Sequence, residues 1–208
     1  MTTDFDAIFK AYDVRGTVPD QFDADGARAI GGAFARFVAG HGATSIVVGR
    51  DMRPDGEEFV AAFSDGAMAH GIDVVDAGLC ATDMMYYASG VLEMPGAVFT
   101  ASHNPAGYNG IKMCLAKAAP IGSESGLDLI KQMAMAGPEP AASRGTRTER
   151  DMLEGYVAHV HSFVDVDSLQ PLKVVADTAN GMGGLVVPAV FDRLDGVELE
   201  VMYPELDG

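Results

Sequence analysis

Apolar positions along this chain switch repeatedly between a helical and a strand period, the pattern of α/β structure. Ile30, Phe34, Phe37 and Val38 share one helical face, with Asp23 or Asp25 placed to cap the start and Gly40 and Gly42 to end it. The run Ser45-Ile46-Val47-Val48 then predicts a buried strand. A second helix is predicted from Asp55, where Glu57 and Glu58 suit the positive end of the helix dipole. Phe59, Phe63 and Met68 would face inward along it, and Gly71 precedes the strand Ile72-Asp73-Val74-Val75. Residues 82–92 predict a short helix, Gly96-Ala97-Val98-Phe99-Thr100 and Ile111 to Leu115 predict strands, and a helix over 124–136 follows.

Residues 137–149 lose this periodicity and, with two Pro and two Gly, read as a linker or exposed crossover. Beyond it the pattern predicts a helix over 150–163, a strand from Lys173 to Ala176, a helix over 184–194 and a strand from Val197 to Val201. A weak internal repeat is visible: an apolar strand ends at an Asp (Asp51, Asp177), a helix follows, and a Gly (Gly71, Gly196) opens another strand. Such units favour right-handed parallel crossovers. The expected fold is therefore α/β, a mixed or mostly parallel sheet flanked by helices, with one unit over 1–149 and a second over 150–208.

Composition narrows the partners. At 208 residues with 48% hydrophobic residues, the chain is long enough for a sizeable core and part or all of a second domain. A net charge of −16 argues against nucleic acid and anionic membrane surfaces. Cys80 and Cys114, the two cysteines, stand apart in apolar surroundings and are expected to be buried free thiols. The start Met1-Thr2-Thr3-Asp4-Phe5-Asp6 has no apolar signal core, and no run approaches bilayer-spanning length. A cytoplasmic location is expected.

The chemistry concentrates in Thr100-Ala101-Ser102-His103-Asn104-Pro105 and the following Tyr108-Asn109-Gly110-Ile111-Lys112. This spacing is expected to set Ser102, His103 and Lys112 on one short loop beyond the end of a strand, where α/β proteins build their sites. One reading is structural, with Ser102 and Asn104 bonding their own backbone in a turn. The other is a nucleophilic or phosphorylatable serine. The Gly-x-Ser-x-Gly pattern of hydrolases and the Walker phosphate loop are both absent, which leaves phosphoryl chemistry on the serine itself. Two other motifs carry less. His159 and His161 are two apart, a spacing that does not share a helix face. The Asn180-Gly181-Met182-Gly183-Gly184 run lacks the dinucleotide-loop spacing and reads as a helix-start turn.

The segment from Thr100 to Pro105 resembles the phosphoserine signature of the α-D-phosphohexomutases. Phe9-Lys10-Ala11-Tyr12-Asp13-Val14-Arg15-Gly16 is similar to that family's opening motif in its bacterial phosphomannomutase/phosphoglucomutase branch. Gly49-Arg50-Asp51-Met52-Arg53, Asp76-Ala77-Gly78-Leu79 and Val174-Val175-Ala176-Asp177-Thr178-Ala179-Asn180-Gly181 continue the likeness in order. The resemblance implies a four-domain enzyme, of which this chain would hold the first domain and a truncated second. It implies interconversion of hexose 1-phosphate and 6-phosphate, of mannose or glucose, through a phosphoserine and a bisphosphorylated sugar. Ser102 matches the phosphoserine and Lys112 the general acid/base, a role that needs its affinity for protons lowered by burial or neighbouring cations. Arg15 and His103 would contact the transferring phosphate, and Tyr12 would line the same site. A magnesium ion would take a Ser102 phosphate oxygen, and a hexose 1,6-bisphosphate would act as activator. Arg50 and Asp51 are expected to form a structural turn.

Two departures bear on that likeness. The family's metal loop, Asp-Gly-Asp-x-Asp-Arg, has no counterpart; Asp165-Val166-Asp167 comes nearest, without the matching context. Where the family often has Thr-Pro, this chain has Thr82-Asp83. The leading expectation is thus the amino-terminal portion of a mutase, weak or inactive alone and completed by downstream domains. The alternatives are a short non-catalytic relative that binds a phosphosugar or a partner chain, and a hydrolase using Ser102, for which no base and orienting acid can be identified.

Overall fold

A computed structural model describes residues 3–137 and 139–207. Met1 and Thr2 of the acidic start, Pro138 of the expected linker and Gly208, the expected break in the second domain, lie outside them. The chain divides into two compact units, Met1–Arg150 and Asp151–Gly208.

The first unit runs α1 (Phe5–Ile8), β1 (Val14–Thr17), α2 (Ala24–Ala39), β2 (Ser45–Arg50), α3 (Gly56–Ala69), β3 (Asp73–Leu79), α4 (Thr82–Leu92), β4 (Gly96–Phe99), β5 (Tyr108–Leu115), β6 (Ala119–Pro120), α5 (Leu127–Ala136) and β7 (Arg147–Glu149). Among the described residues these strands form one sheet in the order β1-β5-β4-β2-β3-β7, with β6 added to β5. β2 lies parallel to β3 and β4, and β3 parallel to β7, whereas β5 is antiparallel to both β4 and β1. The sheet is mixed, one of the two arrangements expected.

The two faces of this sheet differ. Ile46, Val48, Ala97, Phe99, Ile111 and Met113 point into a core shared with α2, α3 and α5. The intervening Val47, Val98 and Cys114 are buried on the other face, where α4 packs with Met84 and Met85. Asp23 caps α2 by accepting a hydrogen bond from the Gly26 N–H at 2.8 Å. α2 and α3 pack so closely that a Cβ on Gly66 would stand 2.1 Å from the Arg28 carbonyl oxygen. Gly is required there by backbone contact rather than by a turn.

Two strands of this unit go beyond what the pattern predicts. The segment read as a linker or exposed crossover contains β7, an exposed edge strand whose Arg147, Thr148 and Glu149 pair with Val74, Val75 and Asp76. Its all-polar sequence carries no apolar period, so pattern alone cannot reveal it. β1 has only Val14 as an apolar anchor, which is why four residues of an antiparallel strand pass unnoticed. Met68 faces inward with Phe59 and Phe63 as expected, partly buried and packed against the same core.

The second unit contains α6 (Leu153–His161), β8 (Leu172–Asp177), α7 (Gly183–Phe191) and β9 (Val197–Met202). β8 and β9 form a parallel pair in which Leu172, Val174 and Ala176 stand opposite Val197, Leu199 and Val201. The alternate positions pair Lys173 with Glu198, Val175 with Glu200 and Asp177 with Met202, and Lys173 is bonded to Glu198 at 3.0 Å. His161 shares a hydrogen bond with the Val190 carbonyl at 2.7 Å, and the His159 ring packs edge-on against Phe163.

Candidate active site

Ser102 stands in the irregular segment joining β4 to β5, closed at its base by the Thr100 N–H donating to Gly110 O at 3.0 Å. Its backbone is left-handed, φ 53°, a conformation costly for a residue with a Cβ. Its N–H donates to Thr100 Oγ1 at 3.0 Å, and the Asn104 N–H donates to Ala101 O at 3.0 Å. The Ser102 hydroxyl lies outward, 3.3 Å from His103 Nδ1. The loop thus presents the serine and pairs it with the imidazole.

Lys112 is not on this loop, contrary to expectation. It is the fifth residue of β5, paired with Val98 of β4. The antiparallel register puts Arg15 opposite Gly110 and Val14 opposite Ile111, so Asp13, Arg15 and Lys112 fall on the same side of the β1–β5 pair. Asp13 Oδ2 lies 2.6 Å from Arg15 Nη2 and 3.7 Å from Lys112 Nζ. Arg15 Nη1 reaches Asn104 Oδ1 at 2.9 Å, which ties this charged cluster to the Ser102 loop. The charged neighbour of Lys112 is therefore a carboxylate, 9% exposed, rather than a cation, one of the two means by which the implied role would be met. Sequence reasoning passed over Asp13; its signal was the two-residue spacing to Arg15 in the opening motif.

Tyr12 is in a bend, not a strand, and is 80% exposed. Together with Tyr86, Lys112, Ser123 and Ser125 it borders an open cleft of about 530 Å³. The turn carrying Ser123 holds this edge in place, since Ser123 N–H and hydroxyl both donate to the Ala11 carbonyl, at 3.0 and 3.1 Å.

The other motif cations do not converge on the serine hydroxyl. Arg50 pairs with Glu57 at 3.1 Å, and the Lys10 ammonium donates to the Ala7 carbonyl. Arg53, 8% exposed, points its guanidinium into the Ser102 segment and donates to main-chain carbonyls. Asp51 accepts the Arg53 N–H at 3.0 Å, the bond of an Asx turn, in keeping with a structural turn.

The implied magnesium finds no full ligand set here. Among the described residues no cluster of three or more His, Cys, Asp or Glu can hold a metal ion, and Asp13 is already engaged by two cations. A hard divalent cation needs several oxygens, of which Ser102 supplies one. The two cysteines are free and buried. Burial, with the charges of Asp83 and Asp76, pushes the Cys80 thiol up to about 12, and burial raises Cys114 too. Neither suits a nucleophile.

The family model of phosphoglucomutase/phosphomannomutase, alpha/beta/alpha domain I, matches residues 6–138. The chain belongs to this family. Among curated members, the phosphohexose mutase of Xanthomonas campestris is 39% identical over 205 residues, covering 96% of this chain and 44% of its own length. The phosphomannomutase/phosphoglucomutase of Pseudomonas aeruginosa is 34% identical over 203 residues, covering 97% and 42%. A crystal structure of a phosphoglucomutase/phosphomannomutase family protein from Burkholderia thailandensis superposes with a TM-score of 0.86 at 36% identity, over 99% of this chain and 45% of that one. The chain thus spans less than half the length of these phosphohexomutase relatives. Among its described residues no helix is long and apolar enough to cross a membrane.

Proposed function

We propose that this chain is the phosphoserine-bearing portion of a phosphohexomutase that interconverts the 1- and 6-phosphates of mannose or glucose in the cytoplasm. The observation that supports it most is the Asp13-centred pairing of Arg15 with Lys112, tied through Asn104 to the Ser102 loop. Phosphoryl transfer asks mainly for aligned oxygens and for cations around the moving charge. Arg15 offers a rigid fork that stays charged, and its Asp13 and Asn104 bonds fix that fork beside the loop.

In the forward step the Ser102 Oγ–P bond breaks and a bond forms between phosphorus and the free hydroxyl oxygen of the hexose phosphate. The hydroxyl proton passes, by way of Lys112, to the Ser102 oxygen, giving free serine and a hexose 1,6-bisphosphate. After the sugar reorients, the same step in reverse returns its other phosphate to Ser102. A free bisphosphate added to the enzyme rephosphorylates the serine and so acts as activator. His103 would hydrogen-bond the transferring group, and Tyr12 would border the sugar. Magnesium would take one oxygen of phosphorylated Ser102, with its remaining ligands and the grip on the distal phosphate coming from outside residues 1–208.

The test is the mass of the protein isolated from its own cells, with fragmentation across Ser102, before and after exposure to glucose 1,6-bisphosphate. Phosphate on Ser102, lost in Ser102→Ala, is expected. A serine that stays bare in both samples overturns the proposal and favours a non-catalytic phosphosugar binder.

A further inference from the structure

We infer that Arg53 is the positioning residue for Ser102, holding the serine loop in shape through its main chain. Its two terminal nitrogens make four hydrogen bonds. Nη2 donates to the carbonyls of Ser102 at 3.0 Å and Asn104 at 2.7 Å. Nη1 donates to those of Pro105 at 3.0 Å and Tyr108 at 2.9 Å. The four terminal N–H groups of a guanidinium are thereby matched to four carbonyls. Three of these belong to the irregular segment and the fourth to the first residue of β5, so a single side chain fastens the loop at both ends.

The anchor is itself anchored. Asp51 Oδ1 accepts the Arg53 main-chain N–H at 3.0 Å, and Asp51 Oδ2 lies 3.4 Å from Arg53 Nε. The Asp51 N–H donates to the Phe99 carbonyl at 2.8 Å, at the end of the strand from which the serine loop departs. Asp51, 5% exposed, balances the buried charge and sets the direction of the fork. The loop needs such a device. Within 101–107 the apolar side chain in the core is Ala101, and Ser102 holds a left-handed backbone that relaxes unless its surroundings enforce it. A lysine cannot replace the arginine, because an ammonium has three donors radiating from one atom and no planar fork. With its four terminal N–H groups engaged by the backbone, Arg53 is also not free to grip phosphate with its fork. Its effect on chemistry runs through the placement of Ser102 Oγ.

The catalytic side of this inference rests on the phosphoserine reading above; the positioning itself does not. Hydrogen exchange of the backbone amides, followed in wild type, Arg53→Lys and Arg53→Ala, separates the two. In both variants the amides of Ser102, Asn104 and Tyr108 are expected to exchange at least about tenfold faster, while those of α2 and β2 stay within about twofold of wild type. Millimolar methylguanidinium is expected to restore protection in Arg53→Ala by filling the vacated slot. Unchanged loop exchange, or acceleration spread evenly over the whole unit, overturns the inference. If Arg53→Ala does not fold, Asp51→Asn, which keeps the guanidinium but frees it from its carboxylate, carries the same measurement. Phosphorylation of Ser102 by glucose 1,6-bisphosphate is expected to slow about 100-fold in Arg53→Lys with half-saturation little changed. A wild-type protein that takes no phosphate removes the phosphoserine reading and leaves the positioning to be decided by exchange.

Discussion

The two faces of the first sheet divide the work of the molecule. Against α2, α3 and α5 the strands present Ile46, Val48, Ala97, Phe99, Ile111 and Met113, and four phenylalanines of that core, Phe22, Phe34, Phe63 and Phe99, are fully buried. On the opposite side β5 carries Gly110, Lys112 and Cys114, so the same strand turns an apolar edge one way and an ammonium the other. The period-2 alternation of a strand makes this separation automatic. The large aromatic core lies on one face and the charged candidate site at the end of the other, so substitutions on each should leave separate signatures.

The strongest way to break that division is on the helical face. Gly66→Ala drives a Cβ to within 2.1 Å of the Arg28 carbonyl; the helices must part, and loss of soluble folded protein is expected on expression. Phe63→Ala empties a fully buried site touching Phe34 and Phe99, for a cost of about 3–5 kcal/mol read by denaturant unfolding. If either change leaves stability intact, the core does not lie where its packing puts it. On the other face, Asp13→Asn removes the carboxylate between Arg15 and Lys112. A stability loss of about 1–3 kcal/mol is expected, with at least a tenfold slower phosphorylation of Ser102 by glucose 1,6-bisphosphate. Equal phosphorylation rates in Asp13→Asn and wild type would detach the cluster from the chemistry.

Two smaller effects sharpen the picture by pH. Cys80, raised to about 12 from an ordinary thiol value of 9.0, has a folded pKa above its unfolded one. Its contribution to stability is complete below pH 9 and is lost as pH rises toward 12. Native protein at pH 8 is expected to resist a thiol reagent that labels it at once in denaturant; rapid native labelling would contradict the burial. Asp73 goes the other way. The Thr146 N–H and hydroxyl donate to its carboxylate and hold it below the usual range. That contribution is present above the ordinary carboxylate pKa and is lost as pH falls through the lowered value. On acidification the amides of β7 are expected to lose protection before those of β2, and Asp73→Asn should show the same weakening at neutral pH.

Sequence made the long elements legible because their signal is local. Ile30, Phe34, Phe37 and Val38 announce α2, and Ile46 to Val48 announce β2, through spacing that the core then satisfies. β1 and β7 escape because they are short, with edge pairing that comes from β5 and β3 rather than from an apolar period of their own. The site divides in the same manner. Ser102, His103 and Asn104 are contiguous and stand out together. The contact of Arg53 with Tyr108 crosses 55 residues of chain, and no local rule connects them. What was readable was that Gly49-Arg50-Asp51-Met52-Arg53 follows one strand and the serine loop follows another; that β2 and β4 are neighbours came from the fold.

A guanidinium that holds carbonyl oxygens is indifferent to the side chains projecting from them. His103 and Ala106 contribute no side-chain atom to the Arg53 bonds, so the outward surface they form is free to be rewritten while the path of the loop is preserved. Such an arrangement uncouples the inheritance of a backbone shape from the inheritance of a specificity. A library randomised at His103 and Ala106 over an intact Arg53 would therefore sample new ligands on a constant scaffold, whereas the same library over Arg53→Ala would sample mostly lost scaffolds.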